Sequence, residues 1–556
     1  MSKRRSAIFL IALAGLILAL SSAFGQAVPS QNPEEDTVHG TVVNSVTHEP
    51  IGRALVCSPD RQLAVLTDND GHFSLALDLE NGKPRSGRSW GNVLIARKPG
   101  FVSRPDQWYA VVPGKEVTIA LTPEALLIGR VLLPSSEAAD RLQVEIYRRQ
   151  VEDGQAHWVS AGTTRTKSNG EFRFAELAEG SYKLLTRESL DRDPVKVRAG
   201  SQAFGYPPVY FPNADDFSSA ETIQLAAGQT VQAAISLVEQ AYYPVKVPVA
   251  NVSAGSGVTV SVFPQGRKGP GYSLGYNADG RIEGLLPNGI YTIEATSLRP
   301  IAATGLVDIT VKGGAIEGPR LTMLSNRAIP IEVKEQFTSP ADSGSPGESL
   351  RGPKINPKEP KTYLTLYLDS AEDVVERRGV SLHSSPGAGD DSLLVDNVPP
   401  GRYWVRVRST RGYASSVTSG GIDLRHEPLV VPSSGPIEVT MRDDWAEVDG
   451  TVEGIQAMLG AASANRSGLF SPEVYFVPQL DNPGEFRDAG VAPDGKINSA
   501  QVPPGLYRVL AFDRPQADLA YHDPEVMRAY EAEGQLIRLA PGPNEPLRLQ
   551  VIASGE

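Results

Sequence analysis

Short runs of alternating apolar and polar residues, broken by glycine-rich turns, recur along the chain. Phe172-Arg173-Phe174 sets two rings on one face of a strand and a guanidinium on the other. The runs follow a repeat: a turn carrying Asn-Gly or Asp-Gly opens a strand, and about ten residues later Gly-x-Tyr heads another. One copy is Ser168-Asn169-Gly170-Glu171-Phe172 with Gly180-Ser181-Tyr182; others are Ala278-Asp279-Gly280-Arg281 with Gly289-Ile290-Tyr291, and Pro493-Asp494-Gly495-Lys496 with Gly505-Leu506-Tyr507. A fourth keeps Pro399-Pro400-Gly401-Arg402-Tyr403 behind a looser turn at Gly389-Asp390-Asp391. Asp-Gly and Asn-Gly supply the positive φ that tight hairpins need. The motif organises backbone and presents no reactive group.

The repeat tyrosines are separated by 109, 112 and 104 residues. That is longer than the roughly 20–50 residues of solenoid or propeller repeats. It leaves room for about seven strands, the inventory of one immunoglobulin-sized sandwich. Gly 53 and Pro 44 in 556 residues fit a turn-rich, all-β chain, and that length exceeds what one core serves.

A further unit stands in front: Val38-His39-Gly40-Thr41-Val42, then Pro50-Ile51, Ala54 and Val56, then Thr67-Asp68-Asn69-Asp70-Gly71-His72-Phe73, with Lys98-Pro99-Gly100-Phe101 later. On these residues the stretch 37–122 resembles the carboxypeptidase regulatory-like domain, a transthyretin-like sandwich also placed among carbohydrate-binding-like folds. The resemblance weakens over 125–238, where Ile128-Gly129-Arg130-Val131 restarts the pattern, and weakens again beyond. It implies a domain that accompanies a catalytic domain, yet no zinc-peptidase pattern occurs in this chain.

The expected architecture is a tandem array of about five immunoglobulin- or transthyretin-like sandwiches at 37–122, 125–238, 243–324, 328–441 and 446–553, joined by very short linkers. Residues 338–361, rich in Pro, Gly, Ser and charge, read as a mobile loop in the fourth sandwich. Helix signal is scarce; Asp523–Gly534 carries the best, with Asp523 as cap and Pro524 in the first turn. Lys3, Arg4 and Arg5, the apolar run Ile8–Leu20 and the small residues Ala23-Phe24-Gly25 read as a signal peptide over 1–25. The apolar run is shorter than the roughly 20 residues of a membrane span, though a retained anchor stays open. The expected location is secreted, periplasmic or cell-surface.

Net charge is −12, and −15 without the three leader cations, which argues against nucleic acid or anionic lipid as partner. The single cysteine, Cys57, excludes an internal disulfide and sits in an apolar run as a structural thiol. No catalytic or metal site is expected. Gly87-Arg88-Ser89-Trp90-Gly91 has the letters of a nucleophile elbow but lies in a loop. Asp68-Asn69-Asp70-Gly71 starts like a calcium loop, but its twelfth position is Leu79, so a hairpin turn is expected. His522-Asp523-Pro524-Glu525 has no later histidine to complete a zinc set. No cofactor is expected.

Surface rings remain: Trp90, Trp108, Tyr206, Tyr210 and Phe211, several on proline-stiffened loops, are the candidate ligand-binding residues, suited to stack on sugars or proline-rich peptides. The plainer reading of Tyr210 and Phe211, and the favoured one, is a plug for the open end of the second sandwich. The resulting expectation is a non-catalytic exported binding or scaffolding protein of the cell envelope, whose partner is an envelope glycan or a protein. The alternative is an accessory or regulatory subunit of an exported peptidase or transporter.

Overall fold

The computed structural model describes residues 37–553 except 78, 81–82, 85–92, 103–107, 112–113, 191–201, 254, 267–268, 299–300, 339–363, 373, 376–392, 456–471, 480–484 and 493. The expected signal peptide, the looser turn at 389–391, nearly all of the loop at 338–361, and the Gly87–Gly91 stretch lie outside those residues. The chain is all-β, with one short helix at Pro524–Arg528 among the described residues, and divides into two units, 1–122 and 123–556.

In the first unit the opening strand Thr37–Asn44 runs antiparallel to His72–Ala76 and parallel to the closing strand Val117–Leu121. A second layer, Leu55–Cys57, Ala64–Leu66, Val93–Arg97 and Tyr109–Ala110, faces it. Val38, Val42, Phe73, Leu75, Leu94 and Ile119 fill the space between. The alternation along Thr37–Asn44 and His72–Ala76 drives this: every second side chain is buried, and the rest meet solvent or the sheet edge. Cys57 is 2% exposed, and burial pushes its thiol pKa up, as suits a structural thiol.

The second unit repeats the plan. Ala125–Leu132 lies between Glu171–Leu177, antiparallel, and Thr230–Ser236, parallel. Arg327–Gln336 lies likewise between Leu393–Val398 and Ile437–Arg442. In Gln240–Ala250 the antiparallel partner is Arg281–Pro287, and the parallel edge is shared by Ile316–Glu317 and Leu321–Thr322. Gly450–Glu453 pairs in parallel with Leu547–Ile552. Separate hydrophobic cores are drawn in turn from Ala125 to Leu237, Val245 to Met323, Ile329 to Met441 and Ala446 to Leu549. These are called the second to fifth sandwiches below.

The repeat has a uniform physical meaning. The turn glycines Gly71, Gly170, Gly280 and Gly495 have φ of +76°, +76°, +73° and +87°. Their carbonyls accept the amides of Val42, Val131, Val249 and Val452 on the opening strands, at 2.7–2.9 Å. Each turn is thus pinned to its own sandwich. The Gly-x-Tyr tyrosines Tyr182, Tyr291, Tyr403 and Tyr507 donate their hydroxyls to the carbonyls of Ala178, Pro287, Pro399 and Pro503, each four residues upstream. This is the tyrosine corner of Greek-key sandwiches. Burial raises the pKa of all four phenols, that of Tyr403 to about 12, so they stay protonated donors.

The sandwiches of the second unit are not related only to their chain neighbours. Ala203–Tyr206 extends the sheet of the third sandwich, Ala203 opposite Tyr242, while Tyr206 still packs against the second core. Val374–Val375 of the fourth adds in parallel to the edge strand Gln155–Arg165 of the second, Trp158 opposite Val374. The fifth also returns to the second: the amide of His522 donates to the carbonyl of Gly154 at 3.1 Å, and Arg149 faces Asp523 at 3.6 Å.

Candidate functional site

That return encloses a cleft of about 830 Å³ walled by the second, fourth and fifth sandwiches. Its size falls in the range of small-ligand sites, about 300–1,000 Å³. The second sandwich contributes the hairpin tip Glu152-Asp153-Gly154-Gln155, where Gly154 takes a positive φ to make the turn between Gln143–Glu152 and Gln155–Arg165. The fourth contributes the outer face of Gly401–Ser409. Tyr403 turns inward to make its corner, so strand alternation sends Trp404, Arg406 and Arg408 to the opposite face. The fifth contributes Arg487 and Arg508 from its sheet, Phe486 from just before the Arg487 strand, and Tyr521, His522 and Met527 from around the helix.

The rings are ordered by mutual stacking. Phe486 lies on Tyr521 with centroids 4.1 Å apart and planes 3° apart, and Trp404 parallels His522 at 6.4 Å and 13°. His522 keeps more than a third of its surface exposed, yet the protein packed around its ring holds its pKa below the usual range, so the imidazole is neutral near pH 7. Arg406 is clamped across sandwiches: it pairs with Asp153 of the second, and its Nε meets Asp369 of the fourth at 2.6 Å. Arg487 Nη2 donates to Glu485 Oε2 at 2.8 Å, while the amide of Ala414 reaches Glu485 Oε1 at 3.3 Å and ties the fifth sandwich to the fourth. Desolvation raises the Glu485 pKa against the pull of Arg487, although 26% of the side chain remains open. Arg487 Nε is shut from solvent without a hydrogen-bond partner.

Two cations differ from these. Arg408 stands 5.7 Å over the Tyr367 ring, and Arg508 Nη1 donates to the carbonyl of Glu531 at 2.7 Å. Among the described residues neither meets a carboxylate in an ion pair. The arrangement suits holding a polar, ring-bearing ligand by stacking and charged hydrogen bonds. Among the described residues no group of three or more His, Cys, Asp or Glu is placed to hold a metal ion, and no helix is long and apolar enough to cross a membrane.

The residues singled out in the sequence lie elsewhere. Trp90 is outside the described residues; Trp108 is 51% exposed on the first unit. Tyr206 and Phe211 are half-buried against the core of the second sandwich. Tyr210 is 3% exposed, packs with Tyr147, Leu185 and Phe217, and donates its hydroxyl to Pro270 of the third sandwich at 2.6 Å. Tyr210 is therefore packed between the second and third sandwiches. The sequence did carry one signal for the cleft that went unread: Trp404-x-Arg406-x-Arg408 alternates on the face opposite a corner tyrosine. Asp68-Asn69-Asp70-Gly71 is a hairpin turn, in which Asp68 Oδ1 accepts the amides of Asp70 and His72.

No protein family matches the chain, and no curated protein does. Among solved structures the chain is similar to the Bacillus anthracis TIE protein at 12% identity, covering 70% of this chain and 58% of that one, with a TM-score of 0.15. A streptococcal ancillary pilin aligns at 11% identity over 51% of this chain and 98% of its own, TM-score 0.17. The open form of the pilus adhesin SpaC from Lactobacillus rhamnosus GG aligns at 13% over 52% and 43%, TM-score 0.15. The chain thus spans little more than half of the first protein, and likeness at these scores carries no argument about this one.

Proposed function

We propose that this chain is a non-catalytic, exported binding or scaffolding protein of the cell envelope, built from five sandwiches at 37–122, 125–238, 243–324, 328–441 and 446–553, the first of carboxypeptidase regulatory-like type. The observation that carries the binding role is the cleft itself. The fifth sandwich docks on the second, and that closure gathers stacked rings and guanidinium groups from three sandwiches into one walled site. The repeat motif supports the scaffolding half, because its tyrosines and glycines are engaged in corners and pinned turns. The leader-like residues 3–25 support export.

The test is binding of the purified chain to a panel of envelope polysaccharides and peptidoglycan, beside a Trp404→Ala variant. Saturable binding that the variant weakens supports the reading, and a folded chain that binds nothing on the panel removes the glycan ligand. An accessory role with an exported peptidase or transporter predicts co-purification of that enzyme instead.

A further inference from the structure

We infer that the cleft between the second, fourth and fifth sandwiches takes a short sugar bearing a carboxylate, a uronic acid unit. The inference rests on the binding reading above and narrows its ligand.

Charge sorts the candidates. Arg406, Arg425 and Arg487 are already paired, with Asp153 and Asp369, with Asp423, and with Glu485. Arg408 and Arg508 are the lining guanidinium groups that lack a carboxylate partner among the described residues, and a fork of that kind matches one carboxylate in two parallel hydrogen bonds. The same walls carry Glu152, Asp153, Asp369, Glu485, Asp488 and Glu531. Against so many acids a phosphate monoester, with close to two charges at one point, is repelled more strongly than a single carboxylate on a hydroxylated ring, whose hydroxyls donate to the remaining carboxylates. Trp404, beside Phe486 and Tyr521 whose faces are taken up by their own stacking, supplies flat apolar surface for the C–H face of such a ring. The chain's net charge of −12 does not oppose this at close range, since remote charges are screened beyond about 8 Å at physiological salt. It does disfavour long polyanions, so a short or terminal uronate fits best.

The experiment is calorimetric titration of the full chain with trigalacturonate and with a hyaluronan hexasaccharide, each beside its methyl ester, which keeps rings and hydroxyls but removes the charge. At least one acid form should bind about tenfold tighter than its ester. Arg408→Gln and Arg508→Gln should each erase that preference while the chain stays folded, Arg508→Gln melting somewhat earlier for its lost bond to the Glu531 carbonyl, and Arg173→Gln, on an exposed position of the second sandwich, should keep the preference. Equal binding of acid and ester, or a preference that survives both variants, overturns the inference. A folded chain that ignores both acid sugars but binds a neutral glycan from the wider panel overturns the inference and leaves the glycan-binding reading standing; failure across the panel removes the inference and the glycan ligand together and leaves a protein partner.

Discussion

Glu188 sits where the second sandwich meets the third, and one of its oxygens has nothing to bond. Oε1 accepts the amide and the hydroxyl of Ser273 at 2.9 and 3.0 Å, whereas Oε2 is shut from solvent without a partner, as is the hydroxyl of Tyr242. Desolvation is the largest influence on this carboxyl and raises its pKa. The folded state therefore holds the proton more tightly than the unfolded chain. The stabilisation is complete below the unfolded value of about 4.3 and is lost as pH rises through the higher folded pKa. Urea unfolding of wild type between pH 4 and 8 should show stability falling with pH, and Glu188→Gln, which cannot ionise, should flatten that slope. A slope unchanged in the variant would assign the pH dependence to another group. The corner tyrosines give a second test. Tyr507→Phe leaves the Pro503 carbonyl without its buried donor and should cost about 1–3 kcal/mol, more than Tyr403→Phe, whose hydroxyl bond is half-buried. Those tyrosines were legible in the sequence as a repeat, but their partners were not. The acceptor is a backbone carbonyl, and a residue's letter does not tell where its carbonyl points.

At the scale of elements, strands and turns follow from the alternation because a period of two and a positive-φ glycine are local properties. Gly495 shows how narrow the requirement is: with φ at +87°, an added Cβ would also stand 2.9 Å from the Val452 carbonyl oxygen. Gly495→Ala should lower stability by about 1–3 kcal/mol in thermal unfolding, with the fifth sandwich the first to melt. The helix is shorter than its sequence signal. Asp523 does cap it, accepting the amide of Glu525 at 2.9 Å, with Pro524 at the first position, but it ends at Arg528, short of Gly534. Beyond Arg528 the amides of Tyr530 and Glu531 bond three residues back, and the Tyr530 ring is drawn edge-on to Phe512 at 5.5 Å. Packing on the sheet outweighs the helical preference of Glu, Ala and Arg there, and a propensity reading has no access to it.

Across the whole molecule, the second unit is set by contacts between sandwiches far apart in sequence, and these have no periodic signature. Asp153-Gly154 reads as an ordinary hairpin tip; only the fold reveals that Arg406 grips Asp153 and that Tyr521 lies over Gly154. A Cβ at Gly154 would stand 2.5 Å from the Tyr521 ring. Gly154→Ala should release the fifth sandwich from the second, and Arg406→Gln, separately, should loosen the fourth from the second. Small-angle scattering should then report a larger radius of gyration, and hydrogen exchange should quicken at His522 while the core strands of each sandwich stay protected. Unchanged scattering from both variants would mean that the remaining contacts hold the closure without them.

The pairing of Val374–Val375 with Gln155–Arg165 has a consequence for biogenesis. Val374 follows Leu237, the last core residue of the second sandwich, by 137 residues (374 − 237), so a ribosome adding roughly 5–20 residues per second takes about 7–27 seconds to supply the covering strand once that sandwich is complete. During that interval the second sandwich is complete but presents a bare strand edge, the surface on which unfinished chains aggregate. The nascent protein thus passes through a vulnerable window whose length is set by translation, and a chaperone that shields strand edges has its task there.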